Sequence, residues 1–217
     1  MRRRLLTTGL LLLWTVLALY PNPLMLGRAI AQSWNPVIDA DAVRGIAATL
    51  PDDPAQIEQA VLGRIVPYAV PWQMYGVPWY FPTPAEVLAE GRGDCESRAV
   101  MLASLLKAKG IPFRLEASFD HIWVDYQGKQ PNALENPQVA IAQKAPDTNY
   151  GFQLPADWNV QQSWEIERAY FLDPAPGWRW AVLLLGYALI FGRHGLRRRL
   201  RRFAPAPAVP AHADYIP

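Results

Sequence analysis

The sequence of 217 residues is poor in the residue types that form disulfides and bind metals, with one cysteine and three histidines. The single thiol, Cys95, cannot form an intramolecular disulfide, which excludes a disulfide-stabilised framework. Two of the histidines, His194 and His212, lie in the basic C-terminal region. No cluster with metal-ligand spacing remains, so the sequence predicts neither a metal site nor a cofactor.

Charged residues are absent from two stretches near the ends of the sequence. Residues 5–20 are uncharged and follow the three arginines at 2–4. This pattern predicts that residues 1–31 form either a secretory signal peptide, with Ala-Ile-Ala at 29–31 as its cleavage site, or an uncleaved N-terminal membrane anchor.

The second uncharged stretch, residues 180–192, runs directly into a basic segment. At ~1.5 Å per residue, a helix from Trp178 to the end of this stretch is roughly 22 Å long, shorter than the ~30 Å hydrocarbon core of a bilayer. Arg179 and Arg193 can extend toward the headgroups, and Trp178 suits the membrane interface. Residues 178–196 are therefore predicted to form either a transmembrane or an interfacial helix.

The basic residues that flank these stretches predict the membrane topology, because basic flanks stay on the cytoplasmic side. Both ends are then cytoplasmic, including the basic and then Pro/Ala-rich tail at 197–217. The domain between them, residues 32–177, is predicted to lie on the extracytoplasmic (periplasmic or outer) face. This domain has more acidic than basic residues, so nucleic-acid binding receives no support.

The segment before the cysteine, residues 67–82, contains four prolines and six aromatic residues. No regular element is expected there, yet the segment is too apolar for a solvated loop. It is predicted to cover the core or to form a wall of a substrate groove. Helices are predicted on either side of it, starting at Asp53 and at the capping box of Thr83 and Glu86.

The run at 91–110, GRGDCESRAVMLASLLKAKG, predicts a helix that begins at the thiol. Two glycines suit a sharp turn, Asp94 is a typical N-cap, and Ala99 and Leu102 continue the line of Cys95 along one apolar face. The thiol would then lie at the positive end of a helix, which lowers its pKa and favours the nucleophilic thiolate.

Alternating side chains after this helix predict an antiparallel sheet. Residues 113–117 and 121–126 alternate as strands do, and a further strand is expected at 132–136. The second strand begins at His121, the one histidine of the predicted domain. If the sheet packs on the preceding helix, Cys95 and His121 form a nucleophile and acid–base pair for acyl transfer.

Two runs of sequence resemble the transglutaminase-like superfamily of papain-type cysteine enzymes, and are most similar to the small bacterial transglutaminase-like cysteine peptidases. They are residues 75–115, YGVPWYFPTPAEVLAEGRGDCESRAVMLASLLKAKGIPFRL, and residues 121–126, HIWVDY. The resemblance covers roughly residues 57–136. It implies an α+β fold in which a nucleophile helix packs on an antiparallel sheet (a transglutaminase/papain-like core). It also implies Cys95 as the nucleophile and His121 as the acid–base.

The third member of the implied triad departs from the family pattern, in which an aspartate follows the histidine, often before proline. Here that place has Glu135 and Asn136 before a proline. Asn136 fits best and gives a Cys–His–Asn arrangement, with Glu135 as the alternative. Asp125 shares a strand face with His121 but is expected to lie too near it.

The oxyanion of the reaction is expected to be held by the Cys95 backbone N–H and an indole N–H from the aromatic segment, either Trp72 or Trp79. Tyr75 is placed in the same predicted substrate groove. The leading hypothesis is a membrane-tethered extracytoplasmic cysteine acyl-transfer enzyme that cleaves a peptide or amide bond in a peptide or protein substrate. The alternative is an inert transglutaminase-like module that binds a peptide or an envelope protein partner.

Overall fold

The computed structural model describes the backbone of residues 2–202 and the side chains of residues 4–192, and its fold is α+β. Of the predicted tail, residues after 202 lie outside this range. Within it there are nine α-helices: α1 (Arg2–Leu19), α2 (Pro23–Trp34), α3 (Arg44–Ala47), α4 (Pro54–Ala60), α5 (Pro71–Met74), α6 (Pro84–Glu90), α7 (Cys95–Ala108), α8 (Val160–Glu167) and α9 (Gly177–Arg202). The four strands are β1 (Phe113–Ala117), β2 (Ile122–Tyr126), β3 (Ala142–Lys144) and β4 (Gly151–Phe152). Two π-helical segments, Val61–Ile65 and Arg168–Leu172, extend α4 and α8.

The four strands form one antiparallel sheet in the order β2-β1-β3-β4. Strands β1 and β2 pair over their full length, from Phe113 opposite Tyr126 to Ala117 opposite Ile122. Helix α7 packs on these two strands. The predicted fold class is therefore confirmed at the level of a helix that begins at Cys95 and packs on an antiparallel sheet.

The strand predicted at 132–136 is wrong, because that segment forms a turn and the third strand of the sheet is β3. The side-chain oxygen of Asn132 accepts hydrogen bonds from the backbone N–H groups of Leu134 and Glu135, both at 2.9 Å. Such local bonds satisfy the backbone within the turn and compete with pairing to a neighbouring strand.

The predicted helix starts are confirmed. Asp53 accepts a hydrogen bond from the Ala55 N–H at 3.0 Å, and Thr83 and Glu86 form a complete capping box. The aromatic segment at 67–82 differs from the expectation in one respect, since it contains the short helix α5. A proline at the first position of a helix loses no hydrogen bond, which is why Pro71 can begin it.

Helix α7 forms the centre of the hydrophobic core and is buried along most of its length. Side chains of α3, α4 and the aromatic segment pack around it, together with the inner faces of β1 and β2. Two residues N-terminal to position 32, Tyr20 and Ala29, belong to the same buried cluster. The Tyr20 hydroxyl also donates to the Trp79 carbonyl at 3.0 Å, so the N-terminal helices contact the aromatic segment directly.

The first and last helices, α1 and α9, pack against each other. The Trp14 indole N–H donates to the Leu183 carbonyl at 3.2 Å, and the hydroxyls of Thr15 and Tyr187 are hydrogen-bonded at 2.6 Å. A Cβ atom at Gly186 would lie 1.9 Å from the Trp14 indole nitrogen, so only glycine permits this close approach. The helices are antiparallel, because residues later in α1 contact residues earlier in α9, as in the 2.8 Å bond from Arg179 to the Ala18 carbonyl.

The two segments that were expected to contact the membrane lie in helices that are sharply bent relative to a neighbouring helix. Judged by length and composition alone, no single helix within residues 4–192 is long and apolar enough to cross a membrane. Two pairs of consecutive helical segments pass that test when each pair is taken together, although each pair is bent. The bend is 88° between Arg4–Leu19 and Pro23–Trp34, and 92° between Val160–Leu172 and Gly177–Gly192.

The close packing at Gly93 yields the first testable prediction. A Cβ atom there would lie 2.1 Å from the Cβ of Ser97 and 3.0 Å from Val66, both packed around the start of α7. Gly93→Ala is therefore expected to lower the free energy of unfolding by about 1–3 kcal/mol, as overpacking does. Urea denaturation measures this change.

The matched control for this variant is Gly45→Ala in α3, where an added Cβ meets nothing within 4 Å. That change is expected to leave stability unchanged or slightly raise it, because alanine favours helix more than glycine does. Equal stabilities of the two variants would contradict the role assigned to Gly93.

Candidate active site

Cys95 is the first residue of α7, and the turn before it fixes where that helix begins. Gly91 ends α6 in the left-handed conformation, with φ of 64°. Asp94 is fully buried, and its carboxylate accepts hydrogen bonds from the Ser97 N–H at 3.0 Å and the Ser97 hydroxyl at 2.7 Å. The predicted N-cap is confirmed, and it places the thiol at the N-terminus of the helix.

The thiol itself is surrounded differently from the sequence-based expectation. Its S–H donates to the Glu96 carboxyl, with Sγ 2.9 Å from Oε2, and the Ile122 backbone contributes a hydrogen bond to the sulfur. Burial raises the pKa of Cys95 well above its ordinary value, and the charges of Glu96 and Asp94 raise it further. The predicted lowering of this pKa is therefore wrong: desolvation and two carboxylates outweigh the helix N-terminus.

Glu96 is a site residue that the sequence reasoning missed. Its Oε1 accepts a hydrogen bond from the Trp79 indole N–H at 2.8 Å, and its Oε2 contacts the thiol. Burial, followed by the charge of Asp94, raises the pKa of Glu96 to about 8. The carboxyl group therefore bridges the nucleophile and the indole that was expected to hold the oxyanion.

His121 lies at the end of the turn that joins β1 to β2. The turn is closed by the Ser118 N–H, which donates to the His121 carbonyl at 2.8 Å, and by the His121 N–H, which donates to the Ser118 hydroxyl. The imidazole stacks on Trp123, with ring centroids 6.0 Å apart and planes inclined by 13°. These contacts restrict the ring to one orientation.

Glu135, and not Asn136, is the residue that the structure places beside the imidazole. The His121 Nε2 lies 2.8 Å from Glu135 Oε1. Asn136 is directed elsewhere, since its side-chain amide donates to the Asn132 carbonyl at 3.0 Å. The turn capped by Asn132 directs the Glu135 side chain toward the imidazole. Glu135, the alternative third member of the triad, therefore lies where Asn136 was expected.

Lys129 completes the environment of Glu135 and was not predicted from the sequence. Its ammonium group is buried, 2.9 Å from Glu135 Oε2, and is also paired with Glu58. Burial alone would raise the pKa of Glu135, but hydrogen bonds from His121 and Lys129 outweigh it and lower this pKa to about 2. An ionised carboxylate only accepts hydrogen bonds, so the His121 Nε2 is the donor, and in the neutral form of such an imidazole Nδ1 is the nitrogen with the lone pair.

Two adjoining cavities meet at the thiol and the imidazole. The first has a volume of about 380 Å³ and the second about 280 Å³, and both are lined by Cys95, His121 and Ile122. The walls of the first are mainly aromatic and aliphatic, while the second includes the charged residues Glu58 and Arg98. The aromatic walls of the first are Trp34, Trp79, Phe81, Phe119, Tyr150, Phe152, Tyr170 and Phe171.

Of the three aromatic residues predicted for the groove, only Trp79 lines either of these two cavities. The Trp72 indole N–H donates to the Phe171 carbonyl at 2.9 Å and packs in a small separate cluster with Val70 and Tyr170. Tyr75 packs against Tyr80, with ring centroids 4.5 Å apart and planes inclined by 51°. Trp72 therefore packs behind the cavity wall formed by Tyr170 and Phe171, whereas Tyr75 contacts a residue that lines neither cavity.

Tyr170 is the second site residue that the sequence reasoning missed. Its hydroxyl donates to Asp94 Oδ2 at 2.6 Å, and burial raises the pKa of this hydroxyl. The tyrosine lies 76 residues after Asp94, in a stretch without hydrophobic periodicity. No sequence signal links it to the site, whereas Glu96 could have been found by its position next to the cysteine.

Comparisons with known proteins leave the family unassigned. No protein-family model, curated protein or solved structure matches the chain. Among the side chains that the structure describes, those of residues 4–192, no group of three or more His, Cys, Asp or Glu is placed to hold a metal ion.

The second prediction concerns the charge of Glu135. Because the pKa of its folded carboxyl, about 2, is below the ordinary 4.5, ionised Glu135 stabilises the fold. Glu135→Gln is expected to lower the free energy of unfolding by about 1–3 kcal/mol at about pH 7. The deficit should persist down to about pH 4.5 and disappear as the pH falls toward about 2.

Urea unfolding of both proteins over this pH range measures the deficit. Glu90→Gln, which removes an exposed carboxylate from α6, is the matched control and should show almost no deficit at any pH. A deficit for Glu135→Gln that is constant with pH would show that its charge has no stabilising role.

Proposed function

We propose that the protein is a cysteine acyl-transfer enzyme that cleaves a peptide or amide bond through a thioester at Cys95. One observation carries the proposal: Cys95 and His121 line the same two cavities, while Glu135 binds Nε2 of the imidazole. Nδ1 makes no hydrogen bond to residues 4–192, whose side chains the structure describes, and in the proposed reaction it accepts the thiol proton. A nucleophile, a base and a group that orients the base are the parts such a reaction requires.

The chemical steps follow from these roles. Cys95 Sγ attacks the carbonyl carbon as its proton passes to His121 Nδ1, and a carbon–sulfur bond forms. The carbon–nitrogen bond then breaks, and the leaving amine takes the proton from the imidazolium. Water, deprotonated by the same imidazole, hydrolyses the thioester and regenerates the thiol. Glu135 stabilises the imidazolium that forms in both halves of the reaction.

The raised pKa of the thiol indicates how the nucleophile is activated. Burial and two neighbouring carboxylates favour the neutral thiol, so a preformed thiolate–imidazolium pair is not expected. Proton transfer to His121 instead accompanies attack, as it does for serine nucleophiles. The rate should then depend strongly on His121.

The finer assignment of the fold, a transglutaminase/papain-like core, is part of the same proposal. It is supported by a helix that begins at the nucleophile, by an antiparallel sheet packed on that helix, and by a histidine at the start of a strand. Hydrolysis is proposed over cross-linking, because the resemblance is to the peptidase branch of the superfamily. The two cavities on either side of the thiol suit an extended peptide or protein substrate.

The second candidate is an inert module that binds a peptide or envelope protein partner in the same groove. The observation that favours it is again the state of Cys95, whose thiol donates to Glu96 and has a raised pKa. In that case the aromatic walls of the first cavity are a docking surface and the thiol is a structural residue.

Attachment to a membrane through α1 and α9 also belongs to the proposal. Large leucine side chains on the outward faces of both helices are exposed, among them Leu12 and Leu185. The antiparallel packing brings the basic flanks of the two helices to the same end of the pair. The basic flanks place that end on the cytoplasmic side and the domain on the extracytoplasmic side.

The third prediction tests the enzymatic proposal with the full chain in detergent and p-nitrophenyl acetate as the acyl donor. The wild type should release p-nitrophenolate and gain one acetyl group on Cys95, detected by intact mass. Cys95→Ala should abolish both, and His121→Ala should slow acetylation by roughly 10²–10⁴-fold, the usual contribution of a general base.

Two neighbouring variants provide the matched comparison. Glu135→Ala should slow acetylation because the imidazole loses its partner, while Asn136→Ala should leave the rate unchanged. Acetylation of Cys95 that is unaffected by His121→Ala would refute the enzyme and leave the binding module.

The fourth prediction tests membrane attachment by flotation of the full chain with phosphatidylcholine–phosphatidylglycerol vesicles. Burial of one leucine contributes about 1.5–3 kcal/mol, so Leu12→Asn with Leu185→Asn should lower the partition coefficient at least about tenfold. Leu88→Asn replaces an exposed leucine on α6 and serves as the control. Equal flotation of all three proteins would argue against attachment through this pair.

A further inference from the structure

Glu96 lies where a reacting carbonyl group would have to lie. Reacting atoms approach to about 3–3.5 Å before a bond forms, so a substrate carbonyl must enter the shell around Sγ. The Glu96 carboxyl already occupies that shell, with Oε2 2.9 Å from Sγ. A carboxyl group also has the planar shape of an amide or ester carbonyl.

The donor expected to hold the oxyanion is occupied by the same group. The Trp79 indole N–H donates to Glu96 Oε1 at 2.8 Å and lines the first cavity beside the thiol. The Cys95 backbone N–H, in contrast, makes no hydrogen bond within residues 2–202. A substrate oxygen that binds both donors must therefore displace Glu96 Oε1 from the indole.

We propose that Glu96 closes the active site in its resting state by occupying the position of the substrate carbonyl, and that substrate binding displaces it. The inference rests on the proposed acyl-transfer function and adds a means of regulating it. In the closed state the thiol proton is held by a carboxyl oxygen and is withheld from His121. Displacement of Glu96 frees the thiol and the indole N–H in one movement.

The electrostatics of the site support this arrangement. Near Glu96 are Asp94 and Cys95 from the start of the same helix and the Tyr170 hydroxyl, 3.5 Å from Oε2. The other ionisable groups that line the first cavity are Asp120, His121, Tyr150 and Glu167. Burial and the charge of Asp94 raise the pKa of Glu96 to about 8, so at about pH 7 its carboxyl is mostly neutral and can occupy the buried position beside the thiol without the cost of desolvating a charge.

Two variants of Glu96 separate the charge of the side chain from the space it occupies. Glu96→Gln keeps an oxygen that can accept from Trp79 but removes the charge, whereas Glu96→Ala empties the position. Each is compared with the wild type and with Glu90→Gln, which removes an exposed carboxylate from α6.

Two reagents then separate thiol reactivity from carbonyl binding. Iodoacetamide is attacked at its methylene carbon, so its rate reports the thiol alone, while p-nitrophenyl acetate is attacked at a carbonyl whose oxygen needs the indole N–H. Both reactions are followed on the full chain in detergent, between about pH 6 and pH 9, by intact mass.

Glu96→Gln is expected to lower the pKa of the Cys95 thiol enough to raise its thiolate fraction about tenfold, while the lower pKa makes each thiolate less nucleophilic. Both rates should therefore rise equally, by roughly threefold, between about pH 6 and pH 9, a range that lies below the raised pKa of the thiol. Glu96→Ala is expected to raise acetylation at least about tenfold more than alkylation. The inference would be overturned if Glu96→Ala changed the rates of alkylation and acetylation by the same factor, or changed neither rate. Loss of the His121 dependence of acetylation would instead refute the underlying enzyme, whichever Glu96 result is obtained.

Discussion

The carboxylate of Asp94 is buried at the start of α7 and accepts hydrogen bonds from three donors, two on Ser97 and one on Tyr170. A buried carboxylate is tolerated only when its oxygens are satisfied in this way. The bonds to Ser97 fix the residue at which α7 begins, and the bond from Tyr170 ties the π-helical segment after α8 to the same point. The position of Cys95 and the back wall of the first cavity therefore depend on one side chain.

Asp94 also contributes, after burial and the charge of Glu96, to the raised pKa of the Cys95 thiol. The N-terminus of a helix stabilises one nearby negative charge most effectively, and here the capping carboxylate occupies that place. Additional negative charges in the same volume are disfavoured, so the Glu96 carboxyl and the Cys95 thiol both tend to remain protonated. The proposed reaction therefore needs His121 to remove the thiol proton at the moment of attack.

The parts of the molecule that local rules govern were predictable from the sequence. Capping residues and glycines defined α6 and α7, and alternation defined β1 and β2, so Cys95 and His121 were assigned correctly to a helix start and a strand start. The contacts between distant segments were not predictable. The choice between Glu135 and Asn136 depends on a turn capped by Asn132, and Tyr170 reaches the site from a stretch with no periodicity. Whether the fold raises or lowers the pKa of the Cys95 thiol depends on burial, which no local sequence pattern indicates.

The pairing of α1 with α9 has a consequence for biosynthesis. The hydroxyl groups of Thr15 and Tyr187 are separated by 172 residues, so the first helix leaves the ribosome long before its partner exists. At about 5–20 residues per second, translation leaves the apolar face of α1 without α9 for roughly ten to thirty seconds. During that interval Trp14 lacks the backbone of Gly186, against which its indole packs in the finished fold. The contact between α1 and α9 can therefore form only after nearly all of residues 2–202 have been synthesised, so the earliest helix of the chain waits longest for its partner.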